Sequence, residues 1–299
     1  MQAGWLDAVV GEKDWDVCLT ENKLGEIIGT LAFCTTTRWG IRLVYQPALT
    51  PFSGVWMRPA LGEKLHRQYG YIKSVLGDLI GQLPSAHFIS LKLHFSLRDG
   101  QPFYWAGFRT EVNYTFVLRN IRNCGQVYAN FDGDVRRRIK KAEGRTVVTT
   151  EDDLGVFYGL NTRVYERQGS KNPVPFEVWE KVDDFLKGRE QRRMYFGRDV
   201  ETGAILSAIY IVWDEMSAYY IGTGVGNGVK ESDSLYLLLW RAIQDCPVWV
   251  NAFDFEGTML ERVEPVYRSF GAEQVPYIKV LKARNKWWGA ILPSKWTGL

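Results

Sequence analysis

The order of predicted strands and helices repeats once along the chain, and this repeat constrains the fold more than any other feature of the sequence. Residues 24–29 resemble residues 202–207, and each segment leads through a glycine into an apolar strand. Residues 114–118 resemble residues 277–281, near the end of each copy. A chain of 299 residues can hold two cores, and a repeat of this length is a duplicated domain, not a solenoid unit. We therefore predict two related domains, residues 1–125 and 126–299.

The spacing of apolar residues predicts the elements of each copy. In the first copy, a helix at 65–80 lies among strands at 27–33, 40–45, 87–96 and 111–119. The second copy has predicted helices around 157–164, 179–186, 235–243 and 265–270, and predicted strands at 145–150, 193–198, 204–213, 217–223, 249–256 and 276–282. Alternation of the two types predicts an α/β (α+β) fold for both domains.

Composition and cysteine usage exclude several classes of protein. The chain is 46% hydrophobic and 24% charged, which is typical of a globular protein. No apolar run reaches the roughly 18 residues of a membrane helix, and the first residues lack a basic signal region. We therefore expect no integral membrane insertion and a cytoplasmic location. The four cysteines are scattered and only three histidines are present, so we predict reduced thiols and no metal site.

The net charge of +3 is concentrated in one segment. Residues 134–145 contain six basic and two acidic side chains, so this segment alone carries +4. Such a segment attracts phosphates and other polyanions. The candidate polyanion-binding residues are Arg136, Arg137, Arg138, Lys140 and Lys141. A solvated helix face is the alternative interpretation.

Two carboxylates lie at the C-terminal end of the predicted strand at 249–256. Asp254 and Glu256 are two residues apart, and side chains at that spacing leave the same face of a strand. Burial and a like-charged neighbour raise the pKa of a carboxylate, which suits it to remove a proton from an amine. As alternatives, Asp254 holds a turn and Glu256 only ends the strand.

Residues 265–271 predict a short helix that begins at a proline and ends at a glycine. Tyr267 on this helix is a candidate to protonate a leaving group, with a core position as its alternative. Arg268, or a backbone N–H of the strand at 217–223, is a candidate donor to a tetrahedral oxyanion.

The order of elements in the second copy resembles the GNAT acyltransferase superfamily. In that superfamily, the turn before the central helix holds the donor's pyrophosphate on backbone amides. The resemblance assigns this role to residues 222–232, with Gly222, Gly224, Gly226, Gly228 and Ser232 as candidate ligands. Glycines allow close approach to a phosphate, and a helix N-terminus favours negative charge. A simple flexible hairpin is the alternative interpretation.

The tandem arrangement resembles the Fem aminoacyltransferases and their FemAB-like relatives. The basic segment at 136–143, the strand end at 253–257 and the helix at 267–271 resemble segments of that family. Where the family usually carries Phe-Lys, this chain has Tyr267-Arg268.

The resemblance implies two tandem GNAT-like domains, each a mixed and mostly antiparallel sheet flanked by helices. It also implies no tightly bound cofactor, with acyl-CoA or aminoacyl-tRNA as co-substrate. The acceptor would be a small-molecule or peptide amine, and a membrane-bound peptidoglycan or envelope precursor is among the acceptors that it allows. Direct transfer in a ternary complex is favoured, since no residue requires a covalent intermediate.

The first domain has no counterpart of the acid pair, and His94-Phe95-Ser96 stands in its place. Residues 103–108 correspond to the helix at 267–271. We therefore expect the first domain to be degenerate and to form one wall of the acceptor cleft, with Arg38, Arg58 and Arg109 as candidate anion contacts. The alternative function for the chain is an inactive module that binds nucleic acid or lipid headgroups through the basic segment.

Overall fold

The computed structural model describes residues 2–60, 64–226, 233–257 and 259–284. The chain divides into two compact units. Unit 1 comprises Met1–Asn113 and Pro276–Leu299, and unit 2 comprises Tyr114–Val275. The sequence predicted a single boundary after residue 125, whereas the structure divides the chain after residue 113 and again after residue 275.

The elements run in chain order from α1 (Ala3–Val10) to β12 (Glu273–Ala283). The first copy contains β1 (Trp15–Glu21), β2 (Ile27–Arg38), β3 (Ile41–Tyr45), β4 (Val55–Met57), α2 (Leu65–Gly81), β5 (Phe88–Lys92), α3 (Gln101–Trp105) and β6 (Arg109–Arg119). The second copy contains α4 (Cys124–Ala129), α5 (Gly133–Glu143), β7 (Thr146–Thr150), α6 (Leu154–Glu166), α7 (Phe176–Lys187), β8 (Arg192–Asp199), β9 (Ile205–Trp213), β10 (Ser217–Val225), α8 (Asp233–Gln244), β11 (Ala252–Asp254) and α9 (Glu264–Ser269).

Unit 1 is built on a sheet with the strand order β1-β2-β3-β5-β12, and β4 pairs with β2. Among the strand pairs described for this unit, the β3–β5 pair alone is parallel. Helix α2 covers one face, because Val75, Leu76, Leu79 and Ile80 form an apolar stripe at helical spacing. These side chains pack on β5 and on Ile278 and Val280 of β12. Each fully buried side chain of this size contributes roughly 1.5–3 kcal/mol.

Unit 2 has the strand order β6-β11-β10-β9-β8-β7. Of the strand pairs in the described part of unit 2, the β10–β11 pair alone is parallel. Helices α5 and α8 cover one face with an apolar core that includes Phe253 and Phe255. Helix α6 packs against β10, where Phe157 lies next to Gly222. The fold is therefore mixed and mostly antiparallel, as the sequence predicted.

The two copies contain the same type of turn before an equivalent strand. Asn22 and Asp199 each accept two backbone N–H bonds in the turn before β2 and β9. Each turn contains a glycine with positive φ, Gly25 at 76° and Gly203 at 70°. Only glycine adopts this conformation at little cost. The predicted correspondence between residues 24–29 and 202–207 thus has a structural basis.

Each unit contains a strand segment from the other copy of the repeat. In unit 2, β6 pairs with β11, and Val117 lies opposite Asp254. In unit 1, β12 pairs with β5, and Lys279 lies opposite Lys92. The sequence did not predict this exchange, because both strands have the same apolar pattern and either one satisfies either sheet.

Within the described ranges, no helix is both long and apolar enough to cross a membrane. The same residues contain no group of three or more side chains that could hold a metal ion. All four cysteines are free thiols.

Candidate active site

Asp254 ends β11, and its position follows from the strands on either side. The strand is only three residues long, parallel to β10 and antiparallel to β6. Phe253 and Phe255 belong to the core beneath α8. Asp254 lies between them in sequence, so it leaves the opposite face of the sheet. There it is 1% exposed.

Two hydrogen bonds reach the Asp254 carboxylate. The Thr115 hydroxyl of β6 donates to Oδ1, and the Glu256 backbone N–H donates to the same atom at 2.8 Å. Oδ2 is buried and accepts no hydrogen bond from the described residues. Burial raises the pKa of Asp254 to about 6, against the lowering effects of Thr115, the Glu256 N–H and Arg119. A carboxylate with this pKa can exchange a proton near neutral pH. The Oδ2 atom of Asp254 is the oxygen that can accept that proton.

Beyond Asp254 the two parallel strands separate. The pairing covers Ser217–Tyr219 and Ala252–Asp254, after which β10 continues to Val225 and β11 ends. The register of β10 against β9 shifts between Tyr220 and Gly222, which marks a bulge at this level. Bulges commonly redirect backbone groups beside active sites. Asp254 thus stands where the sheet of unit 2 opens.

Glu256 is not on the strand face that the sequence predicted. Its φ of 59° and the φ of 52° at Gly257 turn the chain directly after β11. Position 257 requires glycine, because an added Cβ there would lie 2.3 Å from the Tyr114 carbonyl oxygen. The Glu256 backbone N–H lowers the pKa of Asp254.

Tyr267 approaches the same region from α9. Its ring stacks on Phe255 with centroids 5.0 Å apart, and it also contacts Phe116 and Tyr220. Burial raises the pKa of Tyr267, and Tyr220, Glu256 and Asp254 raise it further. Its hydroxyl therefore stays protonated across the neutral range.

Arg268 lies elsewhere on α9. Its side chain is 67% exposed and its Nε donates to Glu264 at 2.8 Å, one helical turn earlier. Successive residues of a helix point about 100° apart, so Tyr267 faces inward while Arg268 faces solvent. The oxyanion role of Arg268 stays a prediction.

The predicted glycine turn is a strand as far as Val225. A Cβ at Gly222 would lie 2.8 Å from Phe157 and 2.9 Å from Trp179, and one at Gly224 would lie 2.7 Å from Leu160. These two glycines therefore leave room for α6 and α7. At Gly226 a Cβ would collide with the Ile205 carbonyl oxygen. Gly228 and Ser232, the other predicted phosphate ligands, lie outside the described residues.

The basic segment forms α5, which packs against α8. Arg137 and Arg138 pair with Asp134, and Arg138 and Lys141 pair with Asp233 at 3.2 and 2.7 Å. Part of the predicted positive charge is thus neutralised within the protein. Three of the bases, Arg137, Arg138 and Lys141, line a surface pocket of about 300 Å³ together with Asp233.

The two remaining bases do not line this pocket. Arg136 donates to the Ala129 carbonyl oxygen at 2.8 Å, and Lys140 is exposed. In unit 1, the predicted anion contacts Arg58 and Arg109 pair with Glu26 and Glu111.

Thr115 and Tyr220 are site residues that sequence reasoning missed. Thr115 is fully buried beside Asp254, and the Tyr220 hydroxyl hydrogen-bonds Thr223. A buried threonine within the apolar run of β6 was the only available signal, and it does not reveal which strand pairs with β11.

Comparison with known proteins identifies the segment that contains this site. A family model described as "Acetyltransferase (GNAT) domain" matches residues 129–255. This segment is therefore similar to the GNAT acetyltransferase domain. It contains the bulged strand β10 and ends one residue after Asp254. No curated protein matches the chain.

Solved structures extend the likeness to the whole chain. FemX superposes with a TM-score of 0.69 at 13% identity, covering 96% of this chain and 93% of its own. The C-terminal domain of a putative lysylphosphatidylglycerol synthetase from Agrobacterium fabrum gives a TM-score of 0.56 at 10% identity, covering 98% and 92%.

A tandem GNAT protein from the clavulanic acid biosynthesis pathway gives 0.50 at 12% identity, covering 91% and 84%. At these identities the likeness shows a shared fold. The predicted tandem GNAT, Fem-like architecture is thereby confirmed.

Proposed function

We propose that unit 2 transfers an acyl or aminoacyl group to an amine and forms an amide, with Asp254 as the general base. One observation carries this proposal: a buried carboxylate with a pKa of about 6 stands where β10 and β11 separate. An amine acceptor is mostly ammonium at neutral pH and must lose a proton before it attacks. Oδ2 of Asp254, which accepts no hydrogen bond from the described residues, is the atom that would take it.

The other groups of the site would complete the transfer. Attack of the amine on the donor carbonyl places negative charge on the carbonyl oxygen, and backbone N–H groups at the bulge of β10 are candidate donors to it. The tetrahedral intermediate then collapses and the bond to the leaving atom breaks. The Tyr267 hydroxyl, which stays protonated, would donate to that atom.

The donor is proposed to bring its phosphates to the pocket beside the first turn of α8. Arg137, Arg138 and Lys141 supply positive charge there, and a phosphate oxygen would compete with Asp233 for two of them. Both acyl-CoA and aminoacyl-tRNA meet this requirement. The GNAT family match supports acyl-CoA, and the Fem-like fold supports aminoacyl-tRNA.

The Tyr267 hydroxyl does not distinguish the two donors. A departing ribose alkoxide and a departing thiolate both take up a proton, and the hydroxyl of Tyr267 is protonated in either case. An amine on a cell-wall or envelope precursor is the acceptor class that the Fem-like fold supports.

Transfer assays on Asp254→Asn test the proposal. Asparagine keeps the Thr115 and Glu256 hydrogen bonds on its carbonyl oxygen but cannot accept the amine proton. We expect transfer to fall by about 10²–10⁴-fold, with Glu201→Gln, an exposed acid in the β8–β9 turn, at wild-type rate. Retained transfer in Asp254→Asn would remove Asp254 from the base role.

Thr115→Val sharpens the test through pH. The Thr115 hydrogen bond lowers the pKa of Asp254, so its loss should move the acidic limb of the pH–rate profile to higher pH. If the acidic limb does not move in Thr115→Val, the limb reflects the titration of a group other than Asp254.

The donor is tested by binding. Acetyl-CoA and aminoacyl-tRNA are titrated separately against wild type and Arg136/Arg137/Arg138→Ala. Binding of tRNA that the triple variant loses, with no response to acetyl-CoA, selects the tRNA donor. The reverse pattern selects the thioester, and polyanion binding without transfer by wild type favours the inactive binding module.

A further inference from the structure

Strand β7 lies at the outer end of the sheet of unit 2. It pairs with β8 along its whole length, from Thr146 to Thr150, and no strand of the described residues lies beyond it. An edge strand presents a row of unpaired N–H and C=O groups, which can pair with another chain. Natural edge strands usually prevent such pairing with a lysine, a proline or a bulge.

None of these protections is found in β7 itself. Its five residues, Thr-Val-Val-Thr-Thr, are all β-branched, so they favour a strand and include neither lysine nor proline. The register with β8 continues without a shift through these five described residues, so the strand has no bulge against β8. The side chain of Val147 is exposed. The outer edge of β7 therefore has the properties of a strand that accepts a further strand.

A hydrogen bond beside β7 shows which of its backbone groups point outward. The Val200 N–H donates to the Arg145 carbonyl oxygen at 3.0 Å, and the register of β7 on β8, continued by one residue, sets these two residues opposite each other. In an antiparallel ladder, alternate residues bond to the same neighbouring strand, so alternate residues from Arg145 onward bond to β8. The N–H and C=O groups that point away from β8 belong to Thr146, Val148 and Thr150.

These outward groups are complementary to themselves under two-fold symmetry. If two copies of β7 pair antiparallel with Val148 at the axis, Thr146 of each copy lies opposite Thr150 of the other, and all five residues of the strand are paired. Every outward N–H then lies at a position where it donates to an outward C=O of the second copy. One patch thus serves both copies, as a two-fold interface requires.

The charges at the two ends of β7 fit the same register. Arg145 precedes the strand and Glu151 follows it, so the pairing sets Arg145 of each copy opposite Glu151 of the other. Glu151 already accepts hydrogen bonds from Arg198 on both oxygens and from Thr149 on one. A carboxylate has about four acceptor positions. Glu151 can therefore accept the exposed Arg145 without releasing Arg198.

The side chains on the two faces of β7 are also compatible with this pairing. Val148 packs against the core of unit 2, so Val147 and Thr149 leave the opposite face. Between two paired copies, Val147 of each lies opposite Thr149 of the other at a non-hydrogen-bonded position, where side chains are closest. Such β-branched cross-strand pairs stabilise a sheet.

We propose that β7 is a self-association edge, at which a second copy of this chain pairs antiparallel and extends the sheet of unit 2. Only one short strand from each copy forms the ladder, so the association is weak and reversible. Three strands separate β7 from β11, which carries Asp254. The association therefore does not depend on the proposed transfer.

Sedimentation velocity of the full chain at increasing concentration tests for the dimer, and amide hydrogen exchange on the same samples locates the contact. We expect a reversible monomer–dimer equilibrium. The amides of Thr146, Val148 and Thr150 should exchange more slowly as the dimer fraction rises, because hydrogen bonding protects them. The amides of Val147 and Thr149, which bond to β8, should exchange slowly at every concentration.

Two variants separate this edge from other surfaces. Val148→Pro removes an outward N–H at a position where an edge strand tolerates proline, and it should weaken association by about tenfold or more. Val148→Thr keeps the N–H and the β-branch, so it is the matched control and should associate as wild type does. Arg145→Glu sets like charges opposite each other and should also weaken association. It leaves the five strand residues unchanged, so it tests the register even if Val148→Pro does not fold.

A chain that remains monomeric at every concentration would overturn the proposal. So would a dimer in which the outward amides exchange as fast as in the monomer, because that dimer uses another surface. Slow exchange of these amides in the monomer would also overturn it, because another part of the chain would then cover the edge. Asp254→Asn should associate as wild type does, which separates a failure of this proposal from a failure of the proposed transfer.

Discussion

Unit 1 and unit 2 each bury a charged side chain on the sheet face away from the helices α2 and α8, but the two charges differ in sign and in support. Asp254 in unit 2 receives hydrogen bonds from Thr115 and from the Glu256 backbone. The Nζ of Lys279 in unit 1 donates no hydrogen bond to the described residues. Burial alone therefore does not determine the role of a charged side chain, because its hydrogen-bond partners differ between the two units. Burial raises the pKa of the hydrogen-bonded acid Asp254 and lowers the pKa of Lys279, so in both cases it favours the uncharged form.

The short helices α3 and α9 show the same divergence. Each has a proline in its first turn and is followed by a glycine with positive φ, Gly107 at 82° and Gly271 at 70°. Only α9 carries a tyrosine toward a buried acid. The duplicated scaffold has been kept in both units, while its surroundings have become specialised.

The largest expected effect is a difference in the free energy of unfolding between the alanine variants of these two glycines. An added Cβ at Gly271 would lie 2.8 Å from the Asn130 carbonyl oxygen, whereas at Gly107 the nearest atom, Lys282 Cε, is 4.0 Å away. Both alanine variants carry the cost of a left-handed backbone, about 1–2 kcal/mol. Gly271→Ala adds a backbone clash and should lose about 3 kcal/mol or more. Urea unfolding of both variants measures this difference, and equal losses would contradict it.

The next effect concerns the charge of Asp254. The rise of its pKa from 3.8 to about 6 corresponds to about 3 kcal/mol. The folded state binds the proton more tightly, so this contribution is complete below about pH 4 and disappears as the pH rises through 6. Asp254→Asn should therefore be more stable than wild type at pH 8 by up to about 3 kcal/mol, and should lack the decline between pH 4 and 6. An unchanged decline in the variant would assign it to other carboxylates.

The smallest effect concerns Lys279 and has the opposite dependence on pH. Its pKa is lowered in the folded state, so the unfolded chain binds more protons and stability rises as the pH approaches about 10. Lys279→Met should remove this rise and should gain about 1–2 kcal/mol at pH 7. Thermal unfolding between pH 7 and 10.5 measures both, with Lys282→Met as the control. A rise that persists in Lys279→Met would exclude Lys279 as its origin.

Much of the fold could be predicted because it depends on local spacing. The apolar stripe of α2, the turns at Gly25 and Gly203, and the proline and glycine that bound α9 all act within a few residues. Strand β1 was missed, although Cys18 and Thr20 are buried at alternate positions. Its apolar residues are interrupted by acids and give a weak pattern.

The site was predicted less completely, since it depends on contacts between distant residues. The acid at 254 and the tyrosine at 267 were named from their strand and helix. The predicted strand face of Glu256 was wrong because β11 ends at Asp254 and Glu256 has a φ of 59°, outside the strand conformation. A periodicity argument holds only as far as the strand continues.

The sequence by itself determined the mixed α/β class, the duplication and the presence of an acid at the end of an apolar strand, because these follow from residue type and spacing. Only the tertiary structure decided which strand completes each sheet. That choice brings Thr115 to Asp254 and sets Lys279 opposite Lys92. The physical reason is that a pKa depends on burial and hydrogen-bond partners, and these partners come from strands more than a hundred residues apart in the chain.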